Sequence, residues 1–261
     1  MHERRKGVLL TVIIICALIA FGACGFLIYK TVSSNLSEQE YQNIAGSFAS
    51  EMDETTDLSE KATEALADNP VNLEELSKQN SDIYAWIRVP DTNIDYPVAQ
   101  NAENENYYLD HDIYKNYSFP GTIYSQPCNS LSFNDRVTVL YGHNMLNGSM
   151  FANLHKFSDE TFFDEHPYFY IYTLDRKLTY EVVTAFSYDD KHIIYSYDFT
   201  DDAVFQNWID QAKNPRSLNC HVRDSISLDL NSKFVVLSTC LNSDSGRYLV
   251  QGVLVKDERT K

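Results

Sequence analysis

The chain has 261 residues, 44% of them hydrophobic, 13% aromatic and 22% charged, with 9 glycines and 7 prolines. These values exclude a collagen-like or low-complexity chain and leave enough apolar side chains to bury a sizeable core. Lys and Arg number 21 against 37 Asp and Glu, a net charge of −16. So acidic a body is a poor match for nucleic acid, whose phosphates need a basic patch, and it is repelled by anionic lipid unless something else holds it there.

Residues 8–29 supply that hold. They form 22 residues without a charge, and a helix of that length spans the roughly 30 Å hydrocarbon layer of a membrane. Arg4, Arg5 and Lys6 precede the run, which places residues 1–7 in the cytoplasm and everything after Lys30 outside. Setting aside Glu3, Arg4, Arg5, Lys6 and Lys30 leaves 17 basic and 36 acidic residues, so the outer part carries −19. Phe21, Gly22, Ala23 and Cys24 weakly match a lipoprotein cleavage box, but the apolar run continues past them, so an uncleaved anchor is the reading adopted. Cys16 and Cys24 lie in this run and act as small hydrophobes. Cys128, Cys220 and Cys240 lie outside it; an odd number leaves at least one thiol free or paired between chains.

Residues 30–71 are polar and acidic and read as a solvated, partly helical stalk. Helical spacing occurs at 58–66, and Asn72 is placed to cap a short helix that follows. From Ile83 onward the texture is β-branched and aromatic. Strands are predicted at 84–89, 94–98, 121–124, 136–141, 168–172, 178–183, 234–237 and 248–255, separated by turn residues. Such a series builds a sandwich or barrel. Two helical insertions interrupt it, at 149–157 and 200–209, each with an apolar stripe that serves the core. No internal repeat is evident.

The chemistry concentrates at the ends of strands. Cys240 closes the run Phe234-Val-Val-Leu-Ser-Thr-Cys240, and residues 242–246 form a turn leading at once into Arg247. Two strands so joined pair antiparallel, which puts Cys240 and Arg247 at one rim of the sheet. A guanidinium there can hydrogen-bond a carbonyl oxygen that turns negative under attack by a thiolate. The nucleophile also needs an acid/base partner. Of seven histidines, His143 has the best context, in Tyr141-Gly142-His143-Asn144 directly after the strand at 136–141. The sequence lacks CxxC, HExxH, paired-histidine metal spacing, a P-loop, GxGxxG and GxSxG.

Gly142-His143 after one strand and Ser238-Thr239-Cys240 with Arg247 across a hairpin, on an anchored β protein, resemble the sortases, the cysteine transpeptidases of Gram-positive surfaces. The resemblance spans residues 72–256. Trp86, the run 94–100, Tyr107, Tyr108 and Leu109, the run 141–154, and the helical insertion at 200–212 before the Cys strand look like class B. One position departs from the family's TLxTC: Val236 stands where its first Thr would be. The resemblance implies a mostly β fold, a closed sortase-type β-barrel over 72–261 with N-terminal helices. It implies no metal and no organic cofactor. Cys240 is expected to form a thioacyl intermediate with a sorting pentapeptide of a secreted protein, His143 to act as acid and base, and Arg247 to hold the oxyanion. Ser238, Thr239 and Leu109 are expected to contact substrate. The acceptor would be an amine of a cell-wall precursor or of a pilin, and the enzyme would sit on the outer face of the cell membrane.

Two rivals compete. An L,D-transpeptidase-like enzyme would carry Gly before its Cys, where this chain has Thr239. A non-catalytic, membrane-tethered adhesin or wall-binding domain explains the anchor and barrel but gives His143, Cys240 and Arg247 no shared task.

Overall fold

The computed structural model describes residues 2–49, 66–241 and 246–261. The expected helix at 58–66 falls almost wholly outside the described residues, as does the turn at 242–245. Helix α1 (His2–Phe48) runs unbroken through the apolar segment and into the polar one. Its Thr11–Phe48 portion contains a window apolar and long enough to cross a membrane. Residues 11–29 are exposed along their whole length.

The polar half of α1 is not the solvated stalk expected for residues 31–48. Ser34, Tyr41 and Ile44 are buried, spaced so that they share one helix face. The contact depends on hydrogen bonds as much as on apolar area, which is why hydropathy does not reveal it. The Tyr41 hydroxyl lies 2.8 Å from the Gly121 carbonyl and 2.9 Å from Thr122 Oγ1. Tyr96 donates to Glu38 at 2.8 Å, and the Tyr41 and Tyr96 rings meet edge to face at 5.6 Å. Small serines at positions 34 and 37 let the helix approach closely.

After α2 (Leu73–Gln79), capped by the Asn72 side chain on the Glu75 amide, the strands begin. They are β1 (Ile83–Arg88), β2 (Asp95–Ala99), β3 (Ile123–Tyr124), β4 (Val137–Tyr141), β5 (Tyr168–Tyr172), β6 (Arg176–Tyr188), β7 (Cys220–Val222), β8 (Phe234–Cys240) and β9 (Arg247–Arg259). Their order is β5-β1-β2-β3-β4-β8-β9-β6, and β5 pairs again with β6, closing an eight-stranded barrel with β7 added on the far half of β6. Two register shifts on the β6–β9 ladder, at Thr179/Tyr180 and Val182/Thr184, bend β6 so that one strand serves both neighbours. All eight predicted strands are present; β7, three residues long and polar, gives no sequence signal.

Strands at the site are covered on both faces, which explains their continuous apolar runs. Leu140, Val235, Leu237 and Val250 point into the barrel with Trp86 and Phe169. Val137, Val139, Phe234, Val236 and Leu249 point outward beneath Phe205, Trp208 and Ile209. Those three lie on α5 (Asp202–Lys213), whose first turn is capped by Asp201. The insertion predicted at 149–157 is a 3₁₀ turn, Ala152–Ser158. Two short helices, α3 (Glu160–Glu165) and α4 (Ile193–Ser196), complete the fold.

The docking of α1 can be tested by truncation. Removing residues 1–29 should leave the melting temperature of the remaining body unchanged, whereas removing residues 1–48 should lower it. Tyr41→Phe leaves the Gly121 and Thr122 groups short of a partner and should cost about 1–3 kcal/mol in denaturant unfolding.

Candidate active site

The site is built where β4, β8 and β9 end or begin together. β4 and β8 run parallel, with Tyr141 beside Ser238, so both deliver their C-terminal ends to one rim. β9 runs antiparallel to β8, and Cys240 is the register partner of Arg247. Arg247 Nη1 stands 2.8 Å from Cys240 Sγ. Cys240 and Arg247, which the sequence places at one rim, are thus in direct contact.

His143 reaches the same rim by way of Gly142, whose amide donates to the Ser238 carbonyl at 3.2 Å. A side chain at 142 would sit 2.7 Å from Phe151 Cγ, so only glycine allows this turn to lie against the barrel. Beneath it, the Thr239 hydroxyl donates to the Gly142 carbonyl at 2.8 Å. His143 Nε2 lies 2.9 Å from the Leu109 carbonyl, and donation there leaves Nδ1 as the nitrogen that takes up and releases a proton. The imidazole stacks on Phe119 at 5.6 Å, and the opposite partner of that ring is Lys30 Nζ, 3.8 Å from its centroid. Burial holds the His143 pKa below the ordinary imidazole value; the positive charges of Lys30 and Arg247 push the same way, against the Leu109 carbonyl and Asp110.

The expected substrate residues divide. Ser238 is buried on the outward face of β8, the face that also carries the partly exposed Cys240, and Leu109 is exposed and meets His143 through its carbonyl. Thr239 is 1% exposed and its hydroxyl bonds the Gly142 carbonyl, because the alternation of β8 turns its side chain into the barrel. That side chain supports the His143 turn.

Several residues at the rim escaped the sequence reading. The Asn144 amide nitrogen and His155 Nε2 each stand 3.0 Å from the Cys240 carbonyl oxygen, fixing the backbone just past the last ladder bond of β8. His155 in turn stacks on Tyr248 at 4.8 Å. No local signal links these residues, which lie 85 or more positions from Cys240 in sequence. On the outward face Tyr141 packs between Tyr124 and His192, at 5.5 and 6.3 Å. Its hydroxyl is buried with no hydrogen-bond partner among the described residues. Burial pushes Tyr124 up to about 12, so it stays protonated, and its hydroxyl donates to Asn106 at 3.4 Å. Gln126 links that Asn106 (3.1 Å) to His192 (2.6 Å), forming a polar wall beside the face. All five cysteines are free, and among the described residues no group of three or more His, Cys, Asp or Glu is placed to hold a metal ion.

Two substitutions test this geometry. Lys30→Met removes a positive charge from the Phe119 ring, so the His143 pKa should rise, as read by histidine NMR titration of the full chain in micelles with His143→Gln for assignment. A fall, or no change, would contradict the electrostatic account. Gly142→Ala should cost about 1–3 kcal/mol through overpacking against Ile123 and Phe151, measured by denaturant unfolding.

Comparison with known proteins agrees with the geometry. The sortase domain model matches residues 87–255. Sortase B of Listeria monocytogenes is 32% identical over 192 residues, 70% of this chain and 74% of that protein. The crystal structure of sortase B from B. anthracis in complex with AAEK1 superposes with a TM-score of 0.69 at 28% identity, over 88% of this chain and 99% of that one. A Staphylococcus aureus sortase B–substrate complex gives 0.63 at 26% identity, over 70% and 84%. With its barrel, its strand order and the rim that carries Cys240, Arg247 and His143, the chain belongs to the sortase family of cysteine transpeptidases, and within it to class B.

Proposed function

We propose that this chain is a membrane-anchored sortase that cleaves a sorting peptide of secreted proteins and transfers the new acyl end to an amine. The observation that carries the reading is the guanidinium of Arg247 at 2.8 Å from the sulfur of Cys240, a cation held against the one thiol at the rim. The substrate complex known for the Staphylococcus aureus relative supports a peptide as the donor.

In this mechanism Cys240 attacks, as thiolate, the carbonyl carbon of the Thr in the sorting pentapeptide. The carbonyl oxygen becomes an oxyanion, and Arg247, which has five N–H donors and uses one on the sulfur, stabilises it with another. His143 protonates the leaving amine, the C–N bond breaks, and a thioacyl-enzyme remains. The acceptor amine then attacks that thioester, His143 takes its proton, and the thiolate of Cys240 leaves. The peptide lies along the outward face beside Ser238, with Leu109 at the edge.

A residue such as His143, held below the ordinary imidazole value, is mostly neutral at neutral pH. The imidazolium needed by the first step is then a minor form. This supports slow turnover, with activity falling when the acid form is titrated away. Helix α1 holds the body at the membrane with residues 1–7 inside and the barrel outside, where an amine of a wall precursor or a pilin serves as acceptor.

A panel of sorting peptides, with products sequenced by mass, tests the reaction. Cys240→Ala should abolish both the acyl-enzyme and turnover. Arg247→Lys keeps the charge but loses the planar fork and should cost about 100- to 1,000-fold in turnover. His143→Ala should cost about 100- to 10,000-fold. Near-normal cleavage by either variant would overturn the assignment. An adhesin would cleave none of the panel and show no selective modification of Cys240 by an electrophilic peptide.

A further inference from the structure

We propose that the barrel rests on the outer leaflet of the membrane through the loop that follows His143, so that the catalytic rim opens at the lipid headgroups. The inference builds on the anchoring role of α1 given above.

Three contacts fix where the rim sits along that helix. Lys30 covers the Phe119 ring at 3.8 Å, Asn147 donates to Asn35 at 3.1 Å, and Ser118 meets Ser37 at 3.2 Å. The uncharged run ends at Tyr29, and a helix rises about 1.5 Å per residue, so Asn35 stands about 9 Å beyond the hydrocarbon edge. The headgroup layer on each side is roughly 5–8 Å deep. Asn147, bonded to Asn35, therefore lies just past its outer margin, with Leu146 next to it in the chain.

The side chains at this level suit lipid better than water. Leu146 is fully exposed at 104%, a large apolar side chain held at a loop tip. Val32 and Leu36 continue the apolar surface of α1 past Lys30, exposed at 52% and 60%. These exposed apolar side chains lie on α1 beyond Lys30 and on the loop joined to it through Asn35. Lys30 marks the boundary, where a long cationic side chain is at home between lipid phosphate and a ring. The far end of the body offers a control. Leu174 is equally apolar and 64% exposed, but it lies near Gly46 and Ala49, about 17–21 Å farther along the helix than Asn35.

Tryptophan reporters in the full chain test the proposal. The native Trp86 and Trp208 are buried and give a steady background. Leu146→Trp and Leu174→Trp are reconstituted in vesicles of phosphatidylglycerol and phosphatidylcholine, with or without bromine at shallow acyl positions. The expected result is a blue shift and bromine-dependent loss of emission for Leu146→Trp, with Leu174→Trp at the wild-type level. Flotation of the vesicles separates the two readings at stake. A chain that floats but shows no bromine-dependent loss at position 146 overturns the docking alone. A spectral change at 146 that is equal without bromine points to a second copy of the chain and overturns it as well. A chain that does not float with the vesicles removes the anchor and the docking with it.

Discussion

Five residues of β4 lie in parallel register beside five of β8, and this pairing decides where everything at the rim can be. Parallel strands end at the same edge, so the residues after Tyr141 and after Thr239 emerge together although Gly142 and Thr239 are 97 positions apart. The antiparallel β9 then begins where β8 ends, which sets Arg247 opposite Cys240. Had β4 and β8 paired antiparallel, His143 would open at the opposite mouth of the barrel from the sulfur. The burial of both faces of these strands, by the barrel interior and by α5, holds the register: a slip of one residue would turn Leu140 and Leu237 outward and Val139 and Val236 inward.

Around that frame the polar groups are arranged by support from behind. Thr239 holds the Gly142 carbonyl, Asn144 and His155 hold the Cys240 carbonyl, and Leu109 with Phe119 hold the imidazole. Each fixes a backbone or ring that sets where Cys240 and His143 stand at the rim. Buried donors and acceptors satisfied in this way also avoid the cost of an unpaired polar group.

Much of this was legible in the residues. The β-branched runs located all eight barrel strands, and the hairpin between Cys240 and Arg247 followed from a turn sequence between two such runs. His143 was found by its place after a strand, a local cue. What stayed hidden depends on contacts that no local pattern carries. Asn144 and His155 look ordinary until β8 brings the Cys240 carbonyl between them. Thr239 adjoins Cys240 in sequence, yet the period of two along β8 turns its side chain inward onto the Gly142 carbonyl. The docked half of α1 was read as a solvated stalk because Ser34, Ser37 and Glu38 are polar. Their partners, Ser118 and Tyr96 among them, come from loops and strands far along the chain.

The order of the strands has a consequence for the newborn protein. A chain made from its amino end delivers α1, the His143 turn and the first seven strands before the sulfur arrives. β8 must then pair with β4, made far earlier in the chain, and long-range parallel pairing of this kind is slow to form. β9 is made last, and until it pairs with β8 the sulfur of Cys240 has no guanidinium beside it. The pair of thiol and guanidinium is therefore completed only when the last strand made closes the wall between β8 and β6.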